Sequence, residues 1–348
     1  MMRRAWDVPS RALGVPRIKR VRTRVRQTLV GVRKGVLSAA VYVVAPVVAP
    51  AARRGIGSGA CLRHGFLPVP VHFYQPIPDV ADLEDRGVFS ARSDMPGVDF
   101  SSRRQVELLV SLGREFGEEC RWPASESGTS DANVFFTENG SFGFGCAAST
   151  HCVIRRFKPE LVMEIGSGQS STVIAEALRI NRSEGGVDGR HSVIDPYPSS
   201  RLTLPGSQPI ELRESRVELV NPRVFDELGA GDVLFVDSGH TVRIGGDVNY
   251  LFLEVIPRLA PGVLVHLHDI PLPWDYPAAY ATGRELRFFW TESYLLQAFL
   301  AFNSAFEVML AMRYLMTEEV AAFRSAFPHY DPEAHVARSG SFWMRKVG

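Results

Sequence analysis

LVMEIGSGQSST, residues 161–172, is a short apolar run that stops at two glycines and continues into residues suited to a helix. Leu161–Ile165 has the length and continuity of a buried strand. Gly166 and Gly168 mark a tight turn, and STVIAEALRI after them has helical character. Further along the chain the same theme returns. HSVIDPYP (191–198), DVLFVD (232–237) and GVLVHLHD (262–269) are apolar runs that end at an acid or at prolines, and VELV (217–220) offers a weaker one. DVNYLFLEVIPRL (247–259) has helical periodicity. Near-continuous apolar strands alternating with helices predict an α/β fold, a doubly wound and mostly parallel sheet covered on both faces. Upstream, SSRRQVELLVSLGREFGEE (101–119) predicts a helix behind a Ser N-cap. Downstream, TESYLLQAFLAF predicts a helix, while FEVMLAMRYL and SFWMRKV predict two closing strands.

Ligands of such sheets gather outside the carboxyl ends of the strands, near the point where strand order reverses. The chemically interesting residues fall there: Gly166 and Gly168, then Asp195, then Asp237 and His240, then His268 and Asp269. Glycines at a strand-to-helix turn let a ligand approach the backbone, although a purely structural turn has the same signature. A dinucleotide fingerprint asks for a third glycine, where this chain has Ser171, and the carboxylate of Glu164 suits a cationic ligand better than a phosphate. An acid after the next strand, Asp195, is the position that binds ribose hydroxyls in nucleotide-binding sheets.

VMEIGSGQSST resembles the first motif of class I S-adenosylmethionine-dependent methyltransferases. DSGH, the Gly-Asp-Val-Asn helix start, LAPGVLVHLHDI and PWDYP resemble a bacterial branch of that superfamily, methyltransferase family 24, over roughly residues 90–348. The resemblance implies a seven-stranded sheet with an antiparallel hairpin at one edge. It implies S-adenosylmethionine as cofactor, with Glu164, Gly166, Ser167, Gly168, Ser170 and Ser171 lining its methionine end. Asp195 is then the partner of the ribose diol, and Asp237 lies beneath the sulfonium. The insertion NRSEGGVDGR stretches the usual spacing before Asp195.

Asp237-Ser238-Gly239-His240 is similar to the active-site turn of macrolide sugar O-methyltransferases, in which the Asp is a metal ligand and the His a general base. A sugar hydroxyl is a weak nucleophile while it keeps its proton, and an imidazole can remove that proton during transfer. The bland alternative is a His that caps the next segment. His268 stands where metal-dependent relatives have an acid. Asp237, His268 and Asp269 still form a candidate set for a divalent ion such as Mg or Mn, and without a metal His268 becomes a second base or a donor to the substrate. Trp274 and Tyr276, in the Pro-bounded loop PLPWDYP, are candidates for contact with the acceptor. Phe288-Phe289-Trp290 and His266 read as packing residues.

The whole chain has 348 residues, 45% hydrophobic and 22% charged, which excludes a disordered or collagen-like protein. Its net charge of +1 conceals a split. Residues 1–54 hold thirteen Lys or Arg and one acid, Asp7, while the rest is net −11. Three regions are expected: a basic arm over 1–54, a cap over 55–148, and the catalytic domain over 149–348. Ile18, Val21, Val25, Leu29 and Val32 recur at helical spacing among arginines, so the arm is read as an amphipathic helix on an anionic membrane or a solvated tail. Uncharged Gly35–Ala52 is too short to span a bilayer and is broken by Pro46 and Pro50. Four cysteines without a CxxC pair suggest neither a disulfide framework nor zinc. A cytoplasmic enzyme acting on a small-molecule or glycan acceptor, with no nucleic-acid partner, fits these features. A nucleotide-binding oxidoreductase and a non-catalytic scaffold recruited by the arm are the alternatives.

Overall fold

The computed structural model describes residues 38–126, 134–199, 202, 209–283, 287–331 and 339–348. Contacts gather them into two compact units, Met1–Asp79 and Val80–Gly348. The boundary therefore falls at neither 54 nor 148. Helix α1 (Ser102–Phe116) buries Leu109 and Leu112 in the same core as the strands. Its Gln105 side chain accepts from the backbone N–H of Ala311 at 2.8 Å, tying most of the expected cap to the sheet. The amphipathic helix expected over Ile18–Val32 lies outside the described residues.

Seven strands form the sheet: β1 (Leu161–Ile165), β2 (Arg190–Ile194), β3 (Glu211–Arg213), β4 (Val233–Val236), β5 (Leu264–Leu267), β6 (Phe306–Ala311) and β7 (Phe342–Lys346). Their order is β3-β2-β1-β4-β5-β7-β6. The first five are parallel, and β7 runs antiparallel between β5 and β6. Every residue of β1, β4 and β5 is buried, as expected of strands covered on both faces. Strand order reverses between β1 and β4, which fixes where a ligand can enter.

The structure departs from the sequence reading in three elements. VELV is not a strand but a 3₁₀ turn, Val217–Leu219. Val217 and Val220 are buried whereas Leu219 is exposed, a spacing of three that matches a tight helix and not a pleat. The true third strand, Glu211–Arg213, lies at the sheet edge with all three residues exposed, so it carries no apolar signal. FEVMLAMRYL divides at Ala311, where pairing with Phe342 ends and a helix, Met312–Thr317, begins. Residues 247–259 are helical as expected, but the helix widens to a π turn over Leu251–Val255 and tightens over Ile256–Arg258, where Pro257 has no N–H to donate.

Among the described residues no helix is long and apolar enough to cross a membrane. All four cysteines are free.

Candidate active site

Two backbone turns meet where the strand order reverses. The Asp237 N–H donates to the Ile165 carbonyl at 2.9 Å, and the Gly166 N–H donates to the Ile194 carbonyl at 3.0 Å. Gly166 has φ +84, and a Cβ there would fall 2.0 Å from the Asp237 carbonyl oxygen. The glycine is thus required by contact between two turns of the protein itself. Gly166→Ala is expected to lose ~1–3 kcal/mol from the left-handed φ alone and more from the collision. A denaturant midpoint equal to wild type would contradict this close approach.

Asp195 is buried at the end of β2. Its Oδ2 accepts from the Ser167 N–H (2.8 Å) and Ser167 Oγ (2.6 Å), and its Oδ1 accepts from the Tyr197 N–H (2.7 Å). Gly166, Ser167, Asp195, Asp237 and Gly239 line a cleft of about 720 Å³. Tyr197, Arg216, Glu218, Arg243 and Asp247 complete much of its wall, and none of them stands out in the sequence as a ligand residue. Asp247 also holds the DSGH turn. Its Oδ2 accepts from the Gly239 N–H at 2.6 Å, and a Cβ on Gly239 would lie 2.7 Å from that oxygen. The Gly-Asp-Val-Asn and DSGH segments are therefore one structural device.

Glu164, Ser170 and Ser171 do not line that cleft, and neither does Gly168. Glu164 is fully buried below the turn. Its carboxylate accepts from Ser170 Oγ at 2.7 Å and Ser171 Oγ at 2.8 Å, and His191 Nε2 lies 2.9 Å away. Every nearby donor is already engaged within the protein. The Ser171 oxygen in turn accepts from the Gly168 N–H at 3.1 Å, fixing the start of the helix Gln169–Ser183.

Beyond Asp237 lies a cluster of charged groups. His240 and Asp269 both adopt left-handed backbone conformations, φ 54 and 55, which non-glycine residues seldom take away from functional positions. His240 Nε2 is 3.2 Å from Asp237 Oδ1 and 3.7 Å from Asp269 Oδ2. Its Nδ1 is 2.8 Å from Oε2 of Glu292, a carboxylate that is 1% exposed. The sequence reading missed Glu292. It begins the helix Glu292–Leu300, 52 residues beyond His240, and its only local mark is an acid in a helix's first turn. The backbone closes this arrangement, since the His240 carbonyl accepts from the N–H groups of Thr291 and Glu292, and Thr291 Oγ1 accepts from the Val242 N–H. Trp290 packs on the His240 ring with centroids 4.4 Å apart.

His268 is buried, with Nδ1 3.5 Å from Asp237 Oδ1 and 3.4 Å from Asp269 Oδ2, and neither ring nitrogen makes a well-formed hydrogen bond. Burial opposes protonation of both histidines, but the facing carboxylates outweigh it. The His240 imidazole is pushed up to about 10, and His268 also moves up. For Asp237, burial opposes ionisation, and the two imidazoles more than offset it, holding the carboxyl below its usual range. Both imidazoles are thus drawn toward their protonated forms by the carboxylates they face. Among the described residues, the group whose donor atoms converge within 4.8 Å is Asp237, His240 and Asp269. His240 completes that set, and His268 Nδ1 lies beside the same two carboxylates.

Tyr276 is buried, and its hydroxyl accepts from the Ser293 N–H at 3.0 Å. Its ring lies near those of Trp290 and Tyr294, 6.0 Å from each. Trp274 is half-buried under the Arg313 guanidinium, 5.9 Å from the ring centre. Asp269, Tyr276, Tyr280 and Arg313 border a second, small hollow. His266 is a core residue as expected, stacked on Phe235 and bonded to Ser341 Oγ at 2.8 Å.

Residues 163–270 match the family model described as a methyltransferase domain, Methyltransf_24. An uncharacterized protein of Archaeoglobus fulgidus is 28% identical over 137 residues, 38% of this chain and 60% of that protein's length. Among solved structures, the O-methyltransferase TomG of Streptomyces achromogenes, involved in tomaymycin synthesis and complexed with SAM, is 15% identical. It aligns over 78% of this chain and 97% of its own with a TM-score of 0.37. The apo form of CmcI is 16% identical over 59% of this chain and 71% of its own, with a TM-score of 0.35. The family match covers β1, β2, β4 and β5 together with the turns that build the site. Residues 163–270 thus carry the similarity to a methyltransferase domain.

Proposed function

We propose that the protein transfers a methyl group from S-adenosylmethionine to a hydroxyl of a small-molecule acceptor, a sugar, a glycan or a secondary metabolite. The observation that carries this reading is the cleft itself, which joins Gly166 and Ser167 of the glycine turn, the acid after β2 and Asp237–Gly239 at the reversal of strand order, with His240 beside Asp237. Gly166, Ser167 and Asp195 hold the cofactor, with Asp195 facing the ribose. Asp195 already accepts three hydrogen bonds, and a carboxylate has about four acceptor positions, so capacity remains for a hydroxyl. When bound, S-adenosylmethionine supplies an electrophilic methyl group on a cationic sulfur.

The chain's own contribution is to position the reactants and to manage one proton. His240 Nε2 is the acceptor of that proton, and Glu292 fixes the ring by engaging Nδ1. Asp237 and Glu292 hold the proton on the imidazole. Positive charge arriving beside Asp237 loosens that carboxylate's hold and releases the base form of His240. The hollow beside Asp269, Tyr276 and Arg313 is the proposed entry for the acceptor. Asp237, His240 and Asp269 also fit a divalent cation such as Mg or Mn, which would polarise the acceptor oxygen. That role uses the same His240 nitrogen and excludes its service as the base.

The dinucleotide alternative loses one objection and keeps another. Glu164 is buried and paired, so it does not repel a phosphate from the cleft. Ser171, however, still stands where the close-packing third glycine is needed. Calorimetry with S-adenosylhomocysteine tests the reading. Wild-type protein is expected to bind it, and Asp195→Ala is expected to bind roughly 10–100-fold more weakly, the value of hydrogen bonds to a charged group. Failure of the wild type to bind, or binding of NAD(P)H in its place, would remove the methyltransferase reading.

A further inference from the structure

The unit Met1–Asp79 has a surface for which methyl transfer has no use. A helix over 38–53 is exposed almost throughout. Val41, Tyr42, Val43 and Val44 are 65%, 79%, 75% and 52% exposed, and four consecutive helical residues point to every side of the axis. Val47, Ile56, Leu62, Phe66, Phe73 and Tyr74 carry the same character onward, with the Phe73 and Tyr74 rings 4.3 Å apart and both 81% exposed. Soluble surfaces seldom expose apolar groups in such density unless something covers them.

Charge identifies the cover. Between Asp7 and Asp79 the chain has no acidic residue, while Arg33, Lys34, Arg53 and Arg54 bracket the uncharged run Gly35–Ala52. The 16 described residues of this helix extend about 24 Å, short of the ~30 Å hydrocarbon layer, and they include Pro46 and Pro50. An apolar helix too short to span, bracketed by cations and followed by exposed aromatics, suits insertion into one leaflet, with the arginines at the headgroups. A protein groove would cover one side of this helix, whereas acyl chains reach all sides. We propose that residues 38–74 insert into the interfacial layer of an anionic lipid bilayer and that the flanking arginines contact its headgroups. Insertion by the helix over 38–53 is a different device from surface attraction by the segment Ile18–Val32.

The test is sedimentation of the full-length protein with phosphatidylglycerol vesicles and with phosphatidylcholine vesicles. Preference for phosphatidylglycerol is expected, weakening with salt and falling roughly fivefold for each arginine removed in Arg53→Ala and Arg54→Ala. The double substitution Val43→Asn with Val47→Asn leaves every charge in place and changes only exposed side chains. It is expected to weaken binding by more than about tenfold, since it removes two buried valines from the lipid. Its binding to S-adenosylhomocysteine and its circular dichroism report that the chain is folded. The proposal is overturned if the wild type ignores phosphatidylglycerol at low salt, or if the double variant sediments as the wild type does. Lipid-free self-association abolished by that variant would overturn it too, and would assign the face to a second copy of the chain.

Discussion

His240→Ala is expected to lower turnover ~10²–10⁴-fold while leaving affinity for S-adenosylhomocysteine unchanged, the effect of losing a positioned acid–base group. The sign of the pH dependence follows from the geometry. Carboxylates at both ring nitrogens hold the proton on, so His240 must lose it before it can accept another, and wild-type activity should rise with pH. The residual activity of His240→Ala should lack that rise. Glu292→Gln keeps the shape and one hydrogen bond but removes a negative charge 2.8 Å from Nδ1. The imidazole then releases its proton more readily, and the rise should move to lower pH with kcat reduced and KM little changed. A merely structural Glu292 would leave the position of the rise where it was. Stability follows the same linkage. His240 is raised from 6.5 to about 10 in the folded protein, so its contribution is complete below ~6.5 and is lost as pH rises through about 10. His240→Ala should therefore flatten the alkaline loss of stability.

A chelator separates the two uses of Nε2. As a base, His240 works in EDTA as well as without it. Activity lost to EDTA and restored by Mg or Mn would instead make Asp237, His240 and Asp269 a metal site. His268 gives no reason to expect that outcome, since it stands where a metal site of this kind has an acid.

The sheet was legible because its strands are buried on both faces, and continuous apolar runs such as Val233–Val236 and Leu264–Leu267 leave few other readings. Strand β3 was not legible, because an exposed edge strand has no buried face to write into the sequence. The positions of Gly166, Asp195, Asp237 and His240 followed from one rule, that ligands gather at carboxyl ends of parallel strands. Glu292 lies beyond that rule. It reaches His240 from a helix that starts far along the chain, and only the backbone pairing of His240 with Thr291 and Glu292 brings the two together. Tyr276 shows the opposite limit. Its promise as a contact for the acceptor, read from its place in the loop PLPWDYP, is balanced by a hydroxyl already engaged by the Ser293 N–H.

Glu164 separates a residue that binds a ligand from one that shapes the turn a ligand uses. Glu164→Ala leaves the Ser170 and Ser171 hydroxyls and His191 Nε2 without their shared acceptor in a fully buried place. Removing one partner from such a buried group costs ~3–5 kcal/mol, seen as an earlier denaturant midpoint. Glu164→Gln retains an acceptor oxygen, and the serine hydroxyls can rotate to accept from its amide, so its loss should be smaller. The decisive measurement is S-adenosylhomocysteine affinity in Glu164→Gln under conditions where the variant is folded. Affinity close to wild type is expected, because the carboxylate faces the helix start and not the cleft. Wild-type stability combined with lost affinity would mean that the carboxylate turns outward to meet the cofactor's ammonium group, and the role of Glu164 as a buried clamp beneath the glycine turn would be overturned.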